Sequence, residues 1–263
     1  MQDDINSLTD AEIELYARQL VLPGWDETVQ AKLLAAHIAI IGIGGLGMPV
    51  LAYLAGAGVG HITLIEADRV DITNLHRQHM PQQADIGDTK LDVARRFIET
   101  RFPNCQLTCH AEMLTKDNAA HLLNGVTICV DCTDSLVARQ MIARYSVEHA
   151  ISHIFAGAVR HEGQISVFAP HNEAYPDSPC FGCLFPETAS YAQAPNCAQA
   201  GISGPVVGML GTMQANETLK LLTGIGTPLI GKLLLVDAAQ ARFDTINTKR
   251  QPDCKICSTN LAD

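Results

Sequence analysis

A glycine-rich turn, Gly42-Ile43-Gly44-Gly45-Leu46-Gly47, stands between an apolar run and an apolar, helix-compatible segment. Glycines at such a junction let backbone N–H groups approach a phosphate, and the helix N-terminus adds partial positive charge. Behind the turn come Glu66, Asp68, Asn74, Arg77 and Lys90, with Asp134 further on. A carboxylate at the next strand end suits a ribose. The cations suit a triphosphate that loses pyrophosphate, and Asp134 suits a Mg2+ ion held against phosphate oxygens. Each residue alone has a plainer reading. Lys90 begins a helix, where the macrodipole disfavours a cation, so an anion ligand and a lysine snorkelling to solvent are both open. Asp134 could instead cap a helix, a task that Ser135 would perform equally well. Asn74 and Arg77 lie in a polar loop that solvation would explain.

Four of the nine cysteines form two Cys-x-x-Cys pairs, Cys180/Cys183 and Cys254/Cys257. Four thiolates beside prolines and glycine suit one tetrahedral zinc ion, and the wide gap between the pairs implies that it clips the C-terminal tail onto the body. A redox dithiol needs a helix starting at the first cysteine, which Phe181-Gly182 and Pro186 make awkward. Cys105, Cys109, Cys129 and Cys132 lie in or beside strand-like segments and read as buried small hydrophobes.

The elements that must position these groups are legible from periodicity. Residues 38–41 read as a buried parallel strand and 48–57 as a helix with Pro49 in its first turn. Residues 61–65 read as a second strand ending at Glu66, about 20 residues past the last glycine, where a ribose partner belongs. An amphipathic helix is expected over 8–20, with Leu8, Ile13, Ala17 and Leu20 as its stripe, and another over 89–101, capped by Asp88 or Thr89. Further helices are expected near 116–123, 135–149 and 205–222, the last with Gly208 and Gly211 suited to close packing. Strands are expected at 106–110, 126–130, 154–158 and 164–168, the last two as an antiparallel pair, with 232–236 as the final strand. The loop from 170 to 200 is long for a compact domain, which marks it as functional or mobile. The fold class is α/β: a Rossmann-like doubly wound, mainly parallel sheet with antiparallel strands toward the C-terminus and a four-cysteine zinc knuckle. The organisation expected is an N-terminal helical segment (1–30), a nucleotide-binding part (31–170) and a C-terminal part with loop, helix, strand and knuckle (171–263), all in one compact domain.

Composition narrows the class. A chain of 263 residues with 47% hydrophobic and 17% charged residues can bury a substantial core. A net charge of −10 without a basic stripe argues against nucleic-acid binding. Residues 38–60 carry no charge, but their glycines and Pro49 fit strand–turn–helix better than a membrane span. The N-terminus lacks a signal peptide, so a cytoplasmic protein is expected.

Taken together, Gly42-x-Gly44-Gly45-x-Gly47, Glu66-x-Asp68, Asn74-Leu75-x-Arg77-Gln78, Lys90, Asp131-Cys-Thr-Asp134 and the two cysteine pairs resemble the ThiF/MoeB family, relatives of the ubiquitin-activating enzymes. The resemblance runs from Tyr16 to Cys257. It implies adenylation of the C-terminal glycine of a small ubiquitin-like sulfur carrier (ThiS-like or MoaD-like), using ATP and Mg2+. By position, the Gly42–Gly47 turn would cradle phosphates, Glu66 meet the ribose, Asn74, Arg77 and Lys90 contact phosphates, and Asp134 handle Mg2+, with Asp68 and Ser135 beside them. Arg18 resembles an arginine that reaches into the partner subunit's site in an obligate homodimer. Cys197, in Asn196-Cys-Ala-Gln-Ala-Gly201, matches a cysteine that some relatives use covalently.

This sequence departs from the commonest family pattern at Glu66, where aspartate is usual, and at His76, where glutamine is frequent. Gly204-Pro-Val-Val-Gly-Met-Leu-Gly-Thr looks slightly closer to thiazole-pathway relatives, whereas Arg160-His-Glu-Gly-Gln resembles the molybdopterin branch. No room remains after Asp263 for a fused rhodanese domain, so a separate sulfur donor is expected. Three rivals stand beside this reading. A nicotinamide-dependent oxidoreductase explains the glycine turn and Glu66 but leaves Arg77, Lys90 and Asp134 idle. An ATP-dependent dehydratase of a modified tRNA base shares the fold but fits the acidic charge and cysteine pairs poorly. An inactive zinc-stabilised scaffold would not need every polar residue of the motif set.

Overall fold

The computed structural model describes residues 8–187 and 200–258. Strands β1 (His37–Ile41), β2 (His61–Ile65), β3 (Gln106–His110), β4 (Ile128–Asp131) and β5 (Ser152–Val159) are short and rich in β-branched residues. They pair in parallel, whereas β6 (Glu162–Phe168), β7 (Lys232–Asp237) and β8 (Arg242–Asn247) continue the same sheet antiparallel. The strand order is β3-β2-β1-β4-β5-β6-β7-β8. The order reverses where β1 meets β4, and open α/β sheets bind ligands in the crevice at such a point.

Helices cover both faces because the parallel strands are apolar on both sides. Along β4, Ile128 and Val130 join the cluster beneath α2 (Glu27–Ala35), α3 (Gly47–Ala57), α4 (Lys90–Arg101) and a long helix, Gly204–Thr223, here α8. Cys129 faces the other layer, of α5 (Ala119–Leu122) and α6 (Leu136–Glu148). Beyond it, Phe155, Phe168, Phe181 and Phe185 pack with Cys180, Cys254 and Cys257 around α7 (Phe181–Leu184). α8 lies close on α3 at Gly211, where a Cβ would collide with the Leu46 carbonyl. Gly208 has open space instead, so only one of the two expected glycines serves the packing. Among the described residues, no helix is long and apolar enough to cross a membrane.

Several local expectations need correction. Residues 232–236 are not the final strand: β8 follows, exposed along its whole length at the sheet edge, so its sequence shows no buried face. α2 has no counterpart in the periodicity, and the expected helix near 116–123 is one short turn. In α1 (Asp10–Leu20) the buried anchor is Tyr16, not the stripe; Leu8 is buried ahead of the helix, and Leu20 is half-buried. Ile13, Ala17, Leu15, Val21 and Leu22 face solvent in the single chain. Cys105 and Cys109 are half-buried, whereas Cys129 and Cys132 are fully enclosed.

Candidate active site

The glycine turn follows β1 directly at the reversal point. Gly42 adopts φ +91°, a left-handed conformation that suits glycine, and its N–H donates to the Ile65 carbonyl at 2.9 Å. Gly47 begins α3 so close beneath the turn that a Cβ there would overlap the Gly42 carbonyl oxygen. No side chain caps α3; the Met48 N–H is taken by the Gly44 carbonyl at 3.0 Å and Pro49 has none, so an anion would be met by the N–H groups of the turn itself. Gly42, Gly44, Gly45 and Leu46 line a cleft of about 1210 Å³, and Glu66, Asn74, Arg77, Lys90 and Asp134 line the same cleft.

Glu66 already has two backbone partners. One oxygen accepts the Ile43 N–H at 2.8 Å, and the other accepts the Asp68 N–H at 2.9 Å. The carboxylate therefore braces the glycine turn while keeping lone pairs for hydroxyl donors. The longer glutamate side chain spans from the end of β2 to the turn after β1.

Lys90 is the first residue of α4, which Thr89 caps, and it is buried. Its Nζ sits 2.7 Å from Asp68 and 3.8 Å from Glu66. Two carboxylates thus offset the unfavourable helix dipole and the loss of solvent, and a phosphate would compete with the exposed Asp68 for the ammonium. Arg77 is held by a bond to the Thr73 carbonyl at 2.8 Å, and Asn74 is buried in the short 3-10 turn before it.

Asp134 is exposed in the turn between β4 and α6. The competing role of helix cap belongs to Ser135, whose hydroxyl accepts the Ala138 N–H, so Asp134 is released from that task. An exposed carboxylate lining the same cleft as the glycine turn is the type of donor that Mg2+ takes. Thiols nearby are unsuited to nucleophilic work: burial pushes Cys129 up to about 12 and Cys132 well above its ordinary value.

The two cysteine pairs converge. Cys180 Sγ lies 3.9 Å from Cys183 and 3.6 Å from Cys254, and Cys183 lies 3.4 Å from Cys257. Sulfurs 2.3 Å from a tetrahedral zinc stand about 3.8 Å apart, so the spacing fits that ion. A one-turn helix, α7, does start immediately after Cys180, contrary to the expectation from Phe181-Gly182. What disfavours a redox dithiol is the convergence of all four sulfurs within 4.8 Å of one another.

Arg18 does not line the cleft; it is exposed on α1. Cys197 lies outside the described residues. Sequence reading missed His153, Arg139 and the structural role of Asp131, which meet behind Asp134; no motif spacing joins Asp131 to a histidine on the neighbouring strand.

The model of the ThiF family matches residues 16–256. The chain belongs to that family. Among ThiF-family relatives, a sulfur carrier protein adenylyltransferase of Thermus thermophilus is 36% identical over 95% of this chain and 92% of its own length. The adenylyltransferase and sulfurtransferase MOCS3 of Drosophila sechellia is 35% identical over 95% of this chain, which spans 54% of that longer protein. Among solved structures, Escherichia coli MccB with ATP superimposes at a TM-score of 0.80 with 22% identity, over 97% of this chain and 76% of that one. PaaA gives 0.78 with 23% identity, over 95% and 79%. At these identities the structural matches establish the fold.

Proposed function

We propose that this ThiF-family protein is an adenylyltransferase that uses ATP to activate the C-terminal glycine of a ubiquitin-like sulfur carrier, forming an acyl-adenylate and releasing pyrophosphate. The observation that carries the reading is the convergence of Glu66, Asn74, Arg77, Lys90 and Asp134 on the uncapped glycine turn. The sulfur-carrier activity named for the Thermus relative supports the choice of substrate.

A carboxylate attacking an α-phosphate brings two negative groups together, so the site must neutralise charge and hold the reactants in line. Glu66 would orient the ribose through its hydroxyls while fixing the turn. Backbone N–H groups of the turn, Asn74, Arg77 and Lys90 would hold the phosphates, each such contact contributing roughly 2–4 kcal/mol in the transition state. Asp134 would hold Mg2+, which supplies further neutralisation at the phosphate oxygens. No side-chain nucleophile is required. The cleft continues past Gly157 and Ala158 toward Gly163 and Val236, a course that suits a slender glycine-terminated tail. Arg18 would enter the neighbouring subunit's cleft in a homodimer, with the exposed Ile13, Leu15, Val21 and Leu22 packed at that junction. The carrier is of thiamine or molybdopterin type, and Cys197 takes part only if a covalent carrier adduct forms.

The test is ATP–pyrophosphate exchange with purified carrier and Mg2+, without redox cofactor. Exchange should require the carrier's intact C-terminal glycine and fall by orders of magnitude in Asp134→Asn. Carrier-independent turnover, or exchange near the wild-type rate in that variant, would defeat the assignment.

A further inference from the structure

Behind the turn that carries Asp134 lies a buried polar pair that the reaction above leaves unused. His153 and Asp131 have side chains 1% and 0% exposed, with His153 Nε2 3.1 Å from one Asp131 oxygen. The carboxylate accepts, so Nε2 carries the proton. The other Asp131 oxygen accepts the Thr133 N–H at 3.0 Å and the Thr133 hydroxyl at 2.8 Å. Gln214 of α8 donates to the Asp131 carbonyl at 2.8 Å, and Arg139 of α6 donates to the Thr133 carbonyl at 2.6 Å. The chain is thereby pinned on both sides up to the residue before Asp134.

A buried carboxylate is expensive unless it is paired and hydrogen-bonded. β1 and β2 end in Ile41 and Ile65, so a strand end in this sheet has no general need for one. Burial alone would push the Asp131 carboxyl up, but His153, Arg139 and Thr133 together hold it below its ordinary value. Its remaining charge fixes the turn.

The other side of His153 points to the cysteine cluster. Its ring centroid lies 5.6 Å from Phe168 and 5.9 Å from Phe181, and its Nδ1 is buried with no partner among the described residues. The ring is therefore placed by one hydrogen bond, through Nε2, and by packing. Phe181 follows Cys180 directly at the start of α7. A second tie runs beside it: Gln140 of α6 donates to the Phe185 carbonyl, and α6 begins just after Asp134.

We propose that His153 is a positioning residue that fixes the 131–134 turn through Asp131 and, through Phe181, makes the placement of Asp134 depend on the ion held by the four cysteines. The inference rests on the reading of Asp134 as the Mg2+ ligand. Partners behind a metal ligand typically change metal affinity 10–100-fold when removed.

The experiment uses the full-length, zinc-loaded protein and two readouts besides turnover: amide hydrogen exchange at Thr133, and calorimetric ATP binding at varied Mg2+. His153→Leu should speed exchange at Thr133 and raise the half-saturating Mg2+ about tenfold, leaving ATP binding without Mg2+ unchanged. His153→Gln, which returns an N–H donor, should restore both toward wild type. Zinc removal should reproduce the shifts in wild type and add little to His153→Leu. Wild-type exchange and Mg2+ dependence in a folded His153→Leu would overturn the proposal, and fully additive effects of zinc removal would overturn the route through Phe181. If His153→Leu does not fold, Phe181→Leu carries the same test, with shifts in the same direction expected and none refuting the idea. Should Asp134→Asn leave the Mg2+ dependence intact, the Mg2+ assignment fails on its own, while exchange at Thr133 still decides the part played by His153.

Discussion

Replacing Glu66 with glutamine separates two tasks that one carboxylate performs. The Glu66 oxygens accept the Ile43 and Asp68 N–H groups at 2.8 and 2.9 Å. A glutamine amide can accept only one of them and turns an NH2 group toward the other. One charge-assisted bond, about 1.5–3 kcal/mol, is lost, and a backbone donor is left facing a donor. Lys90 also loses one of its two carboxylates, the one at 3.8 Å. A net loss of about 2–4 kcal/mol follows, less than the roughly 5–15 kcal/mol that holds a domain together. Urea unfolding without nucleotide should therefore show a lower midpoint at unchanged slope. ATP binding should weaken by more than the loss of ribose contacts alone would give, because the turn that cradles the phosphates is no longer braced. If Glu66→Gln unfolds at the wild-type midpoint while losing ATP affinity, the bracing role is wrong. If both are unchanged, the nucleotide does not bind here.

Purified protein should carry about one zinc per chain, and Cys254→Ser should lower thermal stability more than it alters the chemistry of surviving protein; metal-free protein of equal stability would contradict this. Arg18→Ala and Asp134→Asn homodimers should each be nearly inactive, yet their mixture should regain up to about a quarter of wild-type exchange activity, since one site of each hybrid is intact. A dead mixture with confirmed subunit exchange would refute the shared-site model. His37 and His61 stack at 3.6 Å, and burial, joined at His37 by the neighbouring ring, lowers both below the ordinary histidine value of 6.5. The folded state then binds fewer protons than the unfolded one, so stability should fall as pH drops through 6.5 and below. Melting curves between pH 7.5 and about 5 should show that fall reduced in His37→Gln; an equal fall in the variant would assign it to other groups.

The glycine turn is legible in the chain because its chemistry is local: glycines beside one another, an apolar strand before them and an acid about 20 residues on are all set by neighbouring backbone. The cysteine pairs are legible for the same reason, as each is a tight turn, although only the fold could bring Cys180 within 3.6 Å of Cys254 across 74 positions. β8 leaves no mark in the sequence because an exposed edge strand needs no apolar face, and its existence depends on β7 being there to pair. Tyr16 carries no local sign of burial because its ring packs against Gly58, remote in sequence. Asp134 and Ser135 are interchangeable as caps until the hydrogen bond to Ala138 assigns the cap to Ser135. The pairing of Asp131 with His153 has no sequence signal at all. It arises from parallel pairing of β4 and β5, in which Cys129 stands beside His153 and Asp131 lies two residues further along the same face. Spacing along the chain thus determined which turns and ligands exist, while sheet register decided which side chains meet, because register sums constraints from every strand at once.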